Sequence, residues 1–248
     1  MEIYYKKMGT VTSTNDVAAE LLKQHDLVAV TANFQTNGRG RNARTWLGNA
    51  GENVYCTIGI HHAPHEVPAA EVPIFQILGG LMSGAALRKV SSPEQCFRLK
   101  YPNDVMAKMP NGRFGKISGI IAEHSFMGNY CDTTIIGIGI NVNQTQFSGV
   151  THNEPTSLAL LGEKLQPDEV AEVLVQTFVE LYGNPYEAIF DIWRRELNFI
   201  GKDAKILGMD GEWEIVELHS NGQVTLRNKH DGQNKIIDNG DSIRYDLN

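Results

Sequence analysis

Between residues 27 and 142 the chain carries five short runs in which apolar, often β-branched positions alternate with small or polar ones. They are LVAVTANF (Leu27–Phe34), NVYCTIGI (Asn53–Ile60), FRLKY (Phe97–Tyr101), KISGIIAEH (Lys116–His124) and TIIGIGINV (Thr134–Val142). A period of two bounded by turn formers predicts strands of one sheet. Helical spacing appears in Asp16–Gln24 behind a Ser13-Thr14-Asn15 cap, in Val72–Val90, in Pro167–Tyr182 and in Pro185–Leu197. In the third of these, Val170, Val173, Leu174, Phe178 and Leu181 fall on one stripe. After Gly201 the pattern changes to short strands separated by Asp210-Gly211, Asn221-Gly222, Asp231-Gly232 and Asn239-Gly240, a β-barrel-like tail. The expectation is an α/β (α+β) chain with a mixed-sheet domain over residues 1–199 and a small β-barrel over 200–248. So short a tail buries little core alone and should lean on the first domain.

Composition excludes more than it assigns. The 248 residues are 42% hydrophobic and 21% charged, with a formal net charge of -7, so any polyanion site must be local. Cys56, Cys96 and Cys131 lack the close pairing of metal or redox motifs and read as reduced, mostly buried thiols. The N-terminal stretch has no apolar signal core and no run approaches ~18 apolar residues, which leads to an expected cytoplasmic location without a membrane.

Against that acidic background NGRGRNARTW, Asn37 to Trp46, holds Arg39, Arg41 and Arg44 and no acid. Gly38, Gly40 and Ala43 follow a strand at G-x-G-x-x-A spacing, but no helix opens behind them, and a Rossmann loop requires one. What remains is a glycine-hinged basic loop whose backbone amides and guanidinium forks could close over a phosphate or carboxylate, or else a solvated turn. In KYPNDVMAKMPNGRFGKISGII a turn at Pro102-Asn103-Asp104 and a hairpin through Asn111-Gly112 bring Asn103, Asp104 and Lys116 to a common sheet edge, beside Gly115 and Gly119. In GIGINVN, Asn141 and Asn143 would share a face by the period of two. Ser13-Thr14-Asn15 is explained by helix capping alone. His61, His62 and His65 read as an exposed connector rather than a metal site, and Asp191, Arg194 and Arg195 as a solvated helix face.

Taken in chain order, STN, Q-x-x-GRGR-x(4)-W, KYPND, GK-I-S-G-I-I and GIGINVN resemble the biotin protein ligases over nearly the whole chain. The resemblance implies a catalytic mixed-sheet domain followed by an SH3-like barrel. It also implies an enzyme that joins biotin to AMP from ATP with Mg²⁺, then passes the biotinyl group to a lysine of a carboxylase biotin carrier domain. Lys116 matches the lysine that touches both the biotin carboxylate and the α-phosphate, and Arg39 and Arg41 match the residues that cover the adenylate. Ser13, Thr14, Asn15, Gln35, Gly38, Gly40 and Gly119, with Arg39, Arg41 and Lys116, would line the biotin side. Trp46 would meet adenine, while Arg41, Asn103, Asp104, Lys116 and Asn141 would serve the nucleotide and Asp104 its Mg²⁺. The helix-turn-helix domain of some members does not precede STN, so no DNA partner is expected, and monomer and sheet-paired homodimer both stay open. One departure is Ala43, where the family's loop has glycine: if that position needs positive φ, Ala43 strains it. Two alternatives carry different expectations. A lipoate or octanoate ligase should lack the barrel and the KYPND text, and a non-catalytic biotin- or nucleotide-sensing module could dispense with Lys116.

Overall fold

Alternating isoleucine and valine build a seven-stranded mixed sheet in the computed structural model, which describes residues 2–148, 153–238 and 240–247. Its strands are β1 (Tyr4–Val11), β2 (Leu27–Gln35), β3 (Asn53–His61), β4 (Phe97–Lys100), β5 (Asp104–Lys108), β6 (Phe114–Met127) and β7 (Tyr130–Asn141), laid side by side as β1-β2-β3-β7-β6-β5-β4. Only β1 and β2 run parallel. Two strands are additional to those read from the sequence. β1 is a lateral edge strand whose Tyr4 and Tyr5 stay exposed, so its apolar period is weak, and β5 falls in the stretch read as a turn and hairpin, where Val105, Met106 and Ala107 show no alternation.

The helices α1 (Thr14–Leu21), α2 (Pro73–Val90), α3 (Pro167–Tyr182) and α4 (Tyr186–Leu197) divide between the two sheet faces. On one face Ala18 and Leu22 pack with Val28, Val30 and Ile135. On the other, α2, α3 and α4 cover Cys56, Ile58, Ile120, Ile136 and Ile138 in the main core. The period of two thus assigns each strand residue to the α1 side or the α2 side. Contrary to the sequence expectation, Ala69–Val90 is long and apolar enough to cross a membrane, with a mean hydropathy of 1.3. However, 67% of that window is buried inside the protein, where it serves as the central core helix.

His62 also departs from expectation, being 4% exposed rather than part of an open connector. Its Nε2 lies 2.8 Å from Thr134 Oγ1, and His124 Nδ1 lies 3.0 Å from the same hydroxyl. One Thr134 proton and two neutral rings satisfy this arrangement. Burial lowers the pKa of both histidines, His124 to about 4 with His62 adding and Glu123 opposing. The unfolded chain therefore binds more protons between about pH 6.5 and pH 4, and stability must fall as pH drops through that window. For half-buried His124 the loss amounts to roughly 2 kcal/mol. Thermal melts of wild type and His124→Asn across this range check it, the variant showing the shallower decline.

The tail forms a second, antiparallel sheet from β8 (Asp203–Ile206), β9 (Trp213–Leu218), β10 (Val224–Asn228), β11 (Asn234–Ile237) and β12 (Ile243–Tyr245), ordered β11-β10-β9-β8-β12, consistent with an SH3-like barrel. Gly211, Gly222 and Gly232 take positive φ at the anticipated turns, while Asn239 of the fourth lies outside the described residues. Trp213, Ile215 and Leu226 belong to the same apolar cluster as the large sheet, so the tail does lean on it. Tyr101 is the central contact. Its hydroxyl donates to the Gly222 carbonyl (2.6 Å), its N–H donates to the Tyr245 hydroxyl (2.8 Å), and its ring stacks on Phe199 at 5.1 Å between centroids.

Candidate active site

A cavity of about 510 Å³ opens on the α1 side of the large sheet, beneath the 38–46 loop and against the tail. Its floor is made by missing side chains. Cross-strand pairing sets Gly119 beside Gly139, and Gly137 beside Thr57 and Ile121, all on one face. A Cβ on Gly137 would stand 2.5 Å from Asn15 Oδ1, and one on Gly139 would stand 2.3 Å from the Trp46 ring. The glycines therefore provide the room in which these side chains sit.

Lys116 reaches this face through an irregularity. It shares parity with Ser118 and Ile120, which point to the α2 side: Ser118 bonds Ser83, and Ile120 is core. Regular pairing would bury the ammonium with them. Instead Met106 pairs with Lys116 and Val105 with Ser118, so Ile117 is an extra residue, a β-bulge that packs into the core and returns Lys116 to the cavity side. There its Nζ lies 2.6 Å from Asp104 Oδ1 and 5.6 Å from the Trp46 ring centroid. Asp104 Oδ2 also accepts from Asn153 Nδ2 at 3.1 Å. Lys116 and Asp104 thus meet as expected, at the start of β5 rather than at the sheet's lateral edge, which β4 and β1 form. Asn103 turns its Nδ2 back to the Ile120 carbonyl (2.9 Å) and holds the turn.

The arginine loop is a small hairpin rather than an irregular hinge. Trp46 N–H donates to the Gly38 carbonyl, Gly40 N–H to Arg44 and Arg44 N–H to Arg41. Asn42 and Ala43 at its tip have φ of 55° and 57°, the signature of a type I′ turn, whose second position favours glycine. The departure at Ala43 is thus a strained one, at about 1 kcal/mol. Ala43→Gly should raise stability by up to that amount, seen as a higher denaturant midpoint with the slope unchanged.

Acids remote in sequence pair with two of these three arginines, which looked uncompensated along the chain. Arg39 is held by Asp16 (2.7 Å) and Glu123 (3.2 Å), which push its high pKa further up, Glu123 first. Arg41 lies 3.3 Å from Asp241 of the tail, and Arg44 is exposed. The Trp46 indole rests on Gly119 and Gly139, close to Lys116, with Nε1 buried and unpartnered.

At the other end of the cavity Ser13 caps α1 by accepting from Asn15 N–H (3.3 Å), so its structural role is real. Gln35 Oε1 accepts from Thr14 N–H (2.7 Å) and Oγ1 (2.9 Å), and Thr57 Oγ1 lies 2.7 Å from both Thr14 Oγ1 and Asn15 Oδ1. Asn141 donates to the Thr156 carbonyl (3.0 Å) and lines the cavity. Asn143 does not share its face, because β7 ends at Asn141, and its amide donates to the Leu165 carbonyl instead. Lys100 and Arg244 also line the cavity and were not anticipated. Burial pushes the Lys100 ammonium pKa down against the pull of Asp104. KYPND contained Lys100 in plain view, whereas nothing local marked Arg244 or Asp241, which only the docking of the tail brings near. Among the described residues no group of three or more His, Cys, Asp or Glu is placed to hold a metal ion.

In all, six cations (Arg39, Arg41, Arg44, Lys100, Lys116 and Arg244) and two carboxylates (Asp104 and Asp241) line the cavity, with Asp16 and Glu123 paired to Arg39 from behind the lining. In a protein of charge -7 this is a local excess of positive charge on a mixed-sheet scaffold. Residues 8–141 match the model of the biotin/lipoate A/B protein ligase family, and the chain belongs to that family. It is 30% identical over 171 residues to a biotin--[acetyl-CoA-carboxylase] ligase of Mycobacterium tuberculosis, an alignment covering 64% of this chain and 57% of that relative's length. It is 28% identical to the bifunctional ligase/repressor BirA of Bacillus subtilis, over 91% of this chain and 70% of the other. The biotin protein ligase from Aquifex aeolicus in complex with biotin and ATP shares the fold, with a TM-score of 0.67 over 98% of both chains at 24% identity.

Proposed function

We propose that the protein is an ATP-dependent biotin protein ligase. It would form biotinyl-5′-AMP with release of pyrophosphate, then transfer the biotinyl group to a lysine of a carboxylase biotin carrier domain. The observation that carries this reading is the Lys116–Asp104 pair within a cavity whose lining holds six cations and two acids. A carboxylate attacking an α-phosphate brings two anions into contact, and their repulsion dominates the barrier. Lys116 is held at the cavity wall by a single carboxylate oxygen at 2.6 Å. It can exchange that partner for the substrate carboxylate and the α-phosphate together. Charged hydrogen bonds of this kind contribute roughly 1.5–3 kcal/mol each, more where they tighten as charge builds. The carboxylate oxygen bonds to phosphorus, the bond from phosphorus to the bridging oxygen breaks, and pyrophosphate leaves with that electron pair. In the second step a neutral carrier lysine attacks the acyl carbon, AMP departs, and the amine proton goes to solvent.

The remaining residues divide the work by chemistry. Arg39 and Arg41 stand on a hairpin able to cover the adenylate and keep water from it. Asn141, Asn103 and Arg41 lie on the nucleotide side. Trp46, whose ring sits on the glycine floor, must move to meet adenine. Asp104, with no cluster of three or more His, Cys, Asp or Glu placed to hold a metal among the described residues, fits a Mg²⁺ that arrives with the nucleotide and takes most of its oxygens from phosphate and water. When bound, that ion neutralises phosphate charge. The hydroxyls and amides of Ser13, Thr14, Asn15 and Gln35, with Thr57 bonded behind Thr14 and Asn15, form a polar cavity end that suits the donors and acceptors of a ureido ring. A lipoyl or octanoyl tail would offer no polar partner for which these groups could exchange their mutual bonds.

Incubation with ATP and biotin should release pyrophosphate only when both are present and yield a species of the mass of the acyl adenylate. Release with lipoate or octanoate in place of biotin would overturn the substrate, and release with neither would favour a sensing module.

A further inference from the structure

Glu123 has no place in the reaction above, yet its carboxylate holds two parts of the cavity at once. It stands on β6 on the same face as Gly119 and Ile121, about 13 Å along the strand from Gly119, behind the cavity-lining Asn15 and Arg39. Its Oε2 accepts from Asn15 Nδ2 at 2.9 Å, while Oε1 and Oε2 accept from Arg39 Nε and Nη2 at 3.2 and 3.3 Å. A carboxylate can only accept, so it dictates which end of the Asn15 amide it meets. Nδ2 faces Glu123, and Oδ1 is left toward the Thr57 hydroxyl and the Gly137 slot. Asn15 is 4% exposed and has no room to ignore that choice. The Arg39 contact works on a different element, since it ties the arginine hairpin to β6, while Asp16 Oδ1, 2.7 Å from Nη1, ties it to α1.

We propose that Glu123 is a positioning residue, one carboxylate that both orients the Asn15 amide for the ligand and latches the 38–46 hairpin. The proposal rests on the ligase reading for its ligand, though the latch does not. A glutamine at 123 has nearly the same shape but only one accepting oxygen, and its NH₂ would confront either Asn15 Nδ2 or the guanidinium. Ligand recognition and hairpin closure should therefore fail together.

The experiment compares Glu123→Gln, Asp16→Asn and Thr57→Val in the full chain, with two readouts. One is kcat and KM for biotin in pyrophosphate release, and the other is the rate at which trypsin cuts after Arg41 or Arg44 in the ligand-free protein. Glu123→Gln should raise KM about tenfold with kcat changed less than about threefold, and should speed cleavage about tenfold. Asp16→Asn should speed cleavage with KM near wild type, and Thr57→Val should raise KM with cleavage near wild type. The proposal is overturned if Glu123→Gln lowers only the melting temperature, or if the other two variants move both readouts alike. A wild type without biotin-dependent turnover would sink the ligase reading instead, and the trypsin pattern would still decide the latch.

Discussion

Lys116→Ala should reduce biotin-dependent pyrophosphate release by about 10³-fold or more while leaving the fold intact. A single preorganised donor to a developing charge is worth about 10²–10³ in rate, and this ammonium is placed to serve two anions at once. The loss should fall on kcat more than on the KM for either substrate, because the interaction strengthens when the carboxylate and phosphate are driven together. Folding should tolerate the change. The side chain is 27% exposed, and Asp104 keeps its bond from Asn153. Steady-state kinetics with a matched thermal melt checks both halves. A variant that kept more than a tenth of wild-type turnover would remove Lys116 from the centre of the reaction and favour a binding module.

Tyr101→Ala should be strongly destabilising. The ring is 5% exposed, stacks on Phe199, lies 6.1 Å from Trp193, and bonds the tail at Gly222. Truncating a buried aromatic costs about 3–5 kcal/mol, and the orphaned Gly222 carbonyl adds to that unless water reaches it. For a chain of this size the melting temperature should fall by roughly 6–20 °C. Activity should fall as well, because Tyr101 is the hinge by which the KYPND turn holds the tail, and with it Asp241 and Arg244, against the cavity. Tyr101→Phe keeps the ring and loses only the hydroxyl bond, so its effect should stay near 1 kcal/mol. If the two variants behaved alike, stacking would not be what docks the tail.

Local patterns made much of this legible. Strands from Leu27 to Val142 alternate because each buries one face against α2 and another against α1 or the cavity, and that asymmetry is written residue by residue. The Asp-Gly and Asn-Gly pairs of the tail announced their turns for the same local reason. What stayed hidden depends on distance along the chain. Glu123, Asp16 and Asp241 are ordinary surface acids until the fold sets them on Arg39 and Arg41. Asn143 appeared to continue a strand that stops two residues earlier. Lys116 was placed by its turn context, although its parity with Ser118 and Ile120 argued for the opposite face, and only pairing with β5 reveals the bulge that resolves the conflict.

That bulge makes the ammonium's direction a matter of counting rather than chemistry. One residue inserted between Val105 and Met106 would give Ile117 a partner, straighten the ladder and rotate Lys116 into the α2 layer, with every side chain of the cavity unchanged in identity. Insertions that would pass unnoticed in the loops around this sheet are therefore forbidden at that one step, and the length of β5 is as much a part of the site as the lysine itself.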